Sequence, residues 1–80
     1  MELTDVTQKL QAFIAENILA EGVELTPETI LGDLGVDSFS VVEIVLFLER
    51  AFGVALPDEA LTPENLKTVN SLAAAAMKYA

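Results

Sequence analysis

Apolar side chains recur at helical spacing in three stretches of the chain, and no stretch alternates in the two-residue period of a strand. Val6, Leu10, Phe13, Ile14 and Ile18 share one face, while Thr4 offers a cap and Asp5 a first-turn acid, so a first helix is predicted over 5–19. Residues 20–36 lose the period and contain Gly22, Pro27, Gly32 and Gly35, which predicts a long loop. Its Leu25, Ile30, Leu31 and Leu34 are expected to pack over the helices. Asp37 can cap a second helix over 38–52, uninterrupted by Pro or Gly and ended by Gly53. About fifteen residues give it a length of ~22 Å. Ala55, Leu56 and Pro57 break the pattern. Thr62, Pro63 and Glu64 then read as a cap with proline in the first turn, predicting a short third helix over 63–66. Thr68 caps a last helix with Val69, Leu72, Ala73, Ala76 and Ala80 on one face. The expectation is an all-α fold with three longer helices and one short one.

The second helix is apolar on two sides. At about 100° per residue, Val41, Ile44, Val45, Leu48 and Phe52 fall in one sector, the face a small bundle buries. Phe39, Val42 and Leu46 lie opposite, flanked by Glu43 and Arg50. So few helices can hardly cover both sides, so this second stripe is expected to dock on a partner. The competing reading is that the long loop folds over it.

Composition narrows the chemistry. Eighty residues suffice for one small domain, 1–80, with a thin core. Thirteen acidic and four basic side chains give a net charge of −9, which repels nucleic acid and anionic lipid and attracts basic protein surfaces. With no Cys and no His there is no thiolate, no imidazole base and no usual zinc ligand, so a serine–histidine enzyme or a transition-metal site is not expected. The 52% hydrophobic content includes no run of membrane-spanning length. Acid follows Met1 where a signal peptide carries base, so a cytoplasmic protein starting at its own methionine is expected.

Gly32, Asp33, Leu34, Gly35, Val36, Asp37, Ser38 and Phe39 occupy the entry to the second helix. Capping alone explains an Asp-Ser pair there. The wider stretch resembles the attachment site of acyl and peptidyl carrier proteins, in which Asp-Ser after a glycine opens the second helix of a four-helix bundle. Glu43, Leu48 with Glu49, Phe52 with Gly53, Leu56-Pro57-Asp58 and Thr68-Val69 before an alanine-rich helix continue the match in register. The resemblance implies that a phosphopantetheinyl transferase moves 4′-phosphopantetheine from coenzyme A onto the Ser38 hydroxyl, and that the arm's thiol holds an acyl or aminoacyl group as a thioester. Ser38, beside Asp37, is then a modified residue of a non-catalytic carrier, because the chain lacks a base to activate the hydroxyl. The same carry-over places Asp33, Phe39, Val42, Glu43, Leu46, Glu49 and Arg50 against partner enzymes. Those partners are an adenylate-forming ligase or acyltransferase and condensing or transferring enzymes, met by a monomeric carrier.

Fatty-acid carriers usually read Asp-Ser-Leu and have many acids along the second helix. Here Phe39 follows the serine, Ser40 stands where an acid is frequent, and Arg50 interrupts the acidic row. Asp-Ser-Phe resembles D-alanyl carrier proteins and stand-alone aminoacyl or peptidyl carriers, so a specialised biosynthetic pathway is expected, with primary fatty-acid synthesis as the alternative. Two readings of other classes stay open: an unmodified helical adaptor using the Phe39, Val42 and Leu46 stripe, and a small enzyme using Asp33 and Asp37.

Overall fold

The computed structural model describes residues 2–80; Met1, on which the reading of the amino terminus rests, lies outside them. Among the described residues there are three α-helices, α1 (Leu3–Asn17), α2 (Ser38–Phe52) and α3 (Val69–Lys78), and no strand. Two short 3₁₀ turns, Leu31–Leu34 and Asp58–Ala60, interrupt the connections.

The first helix starts two residues before the predicted position. Glu2 is the extended N-cap, without a side-chain capping bond, and its carbonyl accepts from Val6 N–H at 3.0 Å. Thr4 is therefore inside the first turn and is not the cap. Nothing holds its backbone extended, so the helix begins two residues earlier at that end. At the other end it stops at Asn17 rather than residue 19. Val6, Leu10 and Ile14 are buried, as the period requires.

α2 matches its predicted bounds. Asp37 is an extended N-cap, and Gly53 ends the helix in the left-handed conformation at φ 70°, which a residue without Cβ adopts at little cost. Ile44 and Leu48 are buried, while Val41, Val45 and Phe52 at the edges of that face are half-buried. Phe47 stacks on Phe13 of α1 with centroids 4.3 Å apart, and Phe52 meets its edge at 6.1 Å. α3 begins at the predicted Thr68, in a reciprocal capping box with Ser71. Its small Ala73, Ala75 and Ala76 are buried, whereas Ala80 lies past the helix end and is exposed, contrary to its expected place on the core face.

The predicted short helix over 63–66 is a single turn. Thr62 does cap it, accepting from Asn65 N–H at 3.2 Å, and Leu66 N–H reaches Thr62 O at 3.0 Å. It cannot lengthen, because Thr68 must be extended to cap α3 and Lys67 O accepts from Leu31 N–H at 2.9 Å.

The long loop is pinned at three points: Leu31 to Lys67, Asn70 N–H to Pro27 O at 3.0 Å, and Gln11 Nε2 to Leu25 O at 2.7 Å. Leu25 and Leu31 enter the core and Leu34 is half-buried, but Ile30 is exposed. Ile30 is the extended residue before the 3₁₀ turn and stays outside the core, whereas Leu31 opens that turn and is buried. Val54, Leu56 and Ala60 close the core from the second connection. No described helix is long and apolar enough to cross a membrane.

Candidate functional site

The entry to α2 is built by three local devices. The 3₁₀ turn Leu31–Leu34 ends at Gly35, whose φ of 84° is left-handed and lets its N–H bond back toward Gly32 O and Leu31 O. Val36 N–H returns to Leu31 O at 3.3 Å, anchoring the reversal on a buried leucine. Asp37 then leaves in extended conformation, and its Oδ1 accepts from Ser40 N–H at 3.0 Å. That backbone bond, first among its contacts, holds the Asp37 carboxyl below the ordinary value of 3.8. The carboxylate stays ionised at neutral pH and is committed to the cap, so it is a poor base for its neighbour.

Ser38 occupies the first helical position with an exposed side chain. It borders a hollow of about 540 Å³ lined also by Gly32, Val36, Asp37, Val41, Val42, Leu61 and Leu66. Aliphatic groups dominate that lining, and its one charge is Asp37. A group esterified to the Ser38 hydroxyl would meet open solvent on one side and apolar wall on the other. The positive end of the α2 dipole favours an anionic linkage there. The residues present thus fit an exposed, tethered phosphodiester arm.

The second apolar stripe is uncovered: Phe39, Val42 and Leu46 are 74%, 56% and 49% exposed. The loop therefore does not fold over it. Glu49 and Arg50 are exposed beside the stripe, Glu43 is half-buried, and Asp33 is exposed on the 3₁₀ turn. The ion pair found among the described residues, Lys9 to Asp5 at 3.5 Å, lies on α1, so these site charges are free for a partner. All predicted site residues thus lie on α2 or the turn leading into it. The pairing of Asp33 with Asp37 into an acid-base couple has no support, since Asp37 is engaged in the cap and both are exposed.

Sequence reading missed the opposite wall of the hollow, Leu61 and Leu66, and the Phe13–Phe47 stack. The leucines flank a proline turn without any period to mark them. Phe47 falls between the two stripes of α2, where neither pattern selects it.

A family model described as phosphopantetheine attachment site matches residues 8–76. The acyl carrier protein of Helicobacter pylori strain ATCC 700392 / 26695 is 47% identical over 53 residues, 65% of this chain and 68% of the relative. That of strain G27 is 45% identical over the same length and coverage. Among solved structures, a chain in the complex of Bradyrhizobium japonicum glycine:[carrier protein] ligase with cognate carrier protein and an analogue of glycyl adenylate superposes with a TM-score of 0.72. It is 28% identical, and the match covers 95% of this chain and 96% of that one. The complex of the same ligase with glycylated carrier protein gives 0.70 at 27% identity, covering 91% and 96%.

Proposed function

The chain belongs to the phosphopantetheine-attachment family of carrier proteins, and from that premise we propose that it is a single carrier domain, 1–80, bearing its arm on Ser38. Family membership implies a 4′-phosphopantetheine prosthetic group, whose thiol holds an acyl or aminoacyl group as a thioester. The observation that carries the assignment to Ser38 is its exposed hydroxyl at the first position of α2, beside an apolar hollow, just after the left-handed Gly35 and the Asp37 cap.

The chain's own residues bind, orient and present; they do not catalyse. Asp37 fixes the helix start that displays the hydroxyl. Phe39, Val42 and Leu46 form the apolar centre of a transient interface, with Asp33, Glu43, Glu49 and Arg50 at its rim. A phosphopantetheinyl transferase supplies the base and metal that the chain lacks.

The pathway is a specialised one loaded by an adenylate-forming ligase. Phe39, Ser40 and Arg50 support this reading, as does the near full-length likeness to chains in the glycine ligase complexes. The identity to Helicobacter pylori acyl carrier proteins favours primary fatty-acid synthesis as the second reading.

Incubation with coenzyme A and a broad-specificity transferase, read by intact mass spectrometry, tests the assignment. Wild type gains the mass of one phosphopantetheinyl group and Ser38→Ala gains nothing. A wild-type chain that stays unmodified is an adaptor, not a carrier. Intact mass of protein from its native host then identifies the load.

A further inference from the structure

Arg50 puts a positive charge on an otherwise acidic face. At about 100° per residue, Phe39, Glu43, Leu46 and Arg50, spaced four, three and four apart, follow one line along α2. Glu49 falls on the neighbouring line with Val42. Asp33 and Asp37 are exposed at the Ser38 end of the helix, and Arg50 is exposed at the other end, ~18 Å further along at ~1.5 Å per residue. A cation in the last turn suits the negative end of the helix dipole, which by itself accounts for a basic residue there. It does not account for the line that residue sits on. Lys9 pairs with Asp5 and lies over the Phe52 ring at 5.7 Å, Lys78 lies over the Tyr79 ring at 5.8 Å, and Lys67 belongs to the turn before α3. Arg50 is thus the cation of the α2 stripe, and among the described residues no acid is within ion-pair distance of it.

We propose that Arg50 is a specificity-determining residue: it pairs with a carboxylate on the loading enzyme and fixes the direction in which the stripe lies on that enzyme. This rests on Phe39, Val42 and Leu46 as the docking stripe. An apolar strip with Phe39 at one end and Leu46 toward the other fits a partner either way round, and only one way brings Ser38 to the reacting centre. Charges at the two ends remove the ambiguity. A surface with a basic group facing Asp33 and Asp37, and an acid ~18 Å away facing Arg50, accepts one direction; reversed, each end meets its own sign. The net charge of −9 draws the chain to any basic surface, so telling one basic surface from another takes a residue of the opposite sign. The partner is therefore an enzyme whose docking patch is divided between base and acid, not one that is basic throughout.

The test is loading of the holo protein by an adenylate-forming ligase of its native host, with kcat/KM measured at about 0.05 M and about 0.5 M salt. Each variant is first shown by intact mass to bear the arm and by circular dichroism to be folded. The two kinds of surface give effects of opposite sign. On a divided patch, Arg50→Gln lowers kcat/KM roughly fivefold and Arg50→Glu roughly thirtyfold, chiefly through KM, and the Arg50→Glu loss shrinks at the higher salt, where the repulsion is screened. Arg50→Lys, which keeps the charge, recovers most of what Arg50→Gln loses, and changing the facing ligase acid to lysine restores loading of Arg50→Glu. On a patch that is basic throughout, Arg50→Glu loads as fast as wild type or faster, and that result overturns the proposal. A loss that follows Tm instead of charge, or an Arg50→Lys no better than Arg50→Gln, overturns it as well. Leu46→Ala in the same assay separates the two readings: if it loses loading while Arg50→Glu does not, the stripe stands and the directional role falls. If neither loses loading, both fall, and a holo protein that the host's ligases do not load overturns the proposal together with the loading reading.

Discussion

Truncating Leu46 to alanine separates docking from folding, and Leu48→Ala, two residues along the same helix, calibrates the comparison. Leu48 is completely buried, so its truncation leaves a cavity and costs about 2–5 kcal/mol. A chain of this size has a total stability on the order of 4–12 kcal/mol, so Leu48→Ala is close to unfolding at physiological temperature. Leu46 is 49% exposed, and half of the burial of a leucine amounts to about 1 kcal/mol. Alanine's better helix propensity offsets part of that. A shift of about 4–8 °C in Tm per kcal/mol leaves Leu46→Ala melting within a few degrees of wild type. In contrast, an apolar residue at the centre of an interface costs about 1–2 kcal/mol or more when removed, roughly a tenfold or greater loss in kcat/KM for loading by the partner ligase. Thermal denaturation by circular dichroism and steady-state loading kinetics on the holo protein read both quantities. If Leu46→Ala melts like Leu48→Ala and loads like wild type, the stripe serves the fold and the docking argument fails.

Because hydrogen bonding holds the Asp37 carboxyl below its ordinary value, its cap is fully present above about pH 4 and is lost as pH falls through the lowered folded value. Asp37→Asn keeps a capping oxygen that does not titrate, so urea midpoints near neutral and near about pH 3 should differ less in that variant than in wild type. Gly35→Ala meets no atom within 4 Å but must hold φ at 84°, so it costs about 1 kcal/mol and lowers Tm by several degrees without steric disruption; an unchanged Tm in a melting curve contradicts the left-handed turn. Phe47→Ala removes half of a stacked pair and costs about 2 kcal/mol by urea denaturation, while leaving the rate of arm attachment unchanged, since Phe13 and Phe47 do not border the hollow beside Ser38, the proposed attachment residue.

Much of the fold was legible residue by residue. Asp37 and Gly53 bracket α2 because a capping side chain and a left-handed glycine each act within one turn, and Thr68 marks α3 for the same reason. The Ser38 neighbourhood was legible too, since its local geometry comes from Gly35 and Asp37. Thr4 shows the limit of such signals: a residue able to cap does so only if its backbone is kept extended, and nothing here keeps it so. Whether 63–66 forms a helix depended on Lys67 and Thr68 being committed elsewhere. Burial lay further out of reach. The periodicity of α2 places Phe39, Val42 and Leu46 on one side, but only the path of the pinned loop decided that this side stays in water. The wall made by Leu61 and Leu66 likewise depends on Asn65 and Ser71 meeting across the turn. Dihedral preferences and caps belong to neighbouring residues and are written in order along the chain; exposure and concavity are relations between distant segments, and they exist only once those segments are packed.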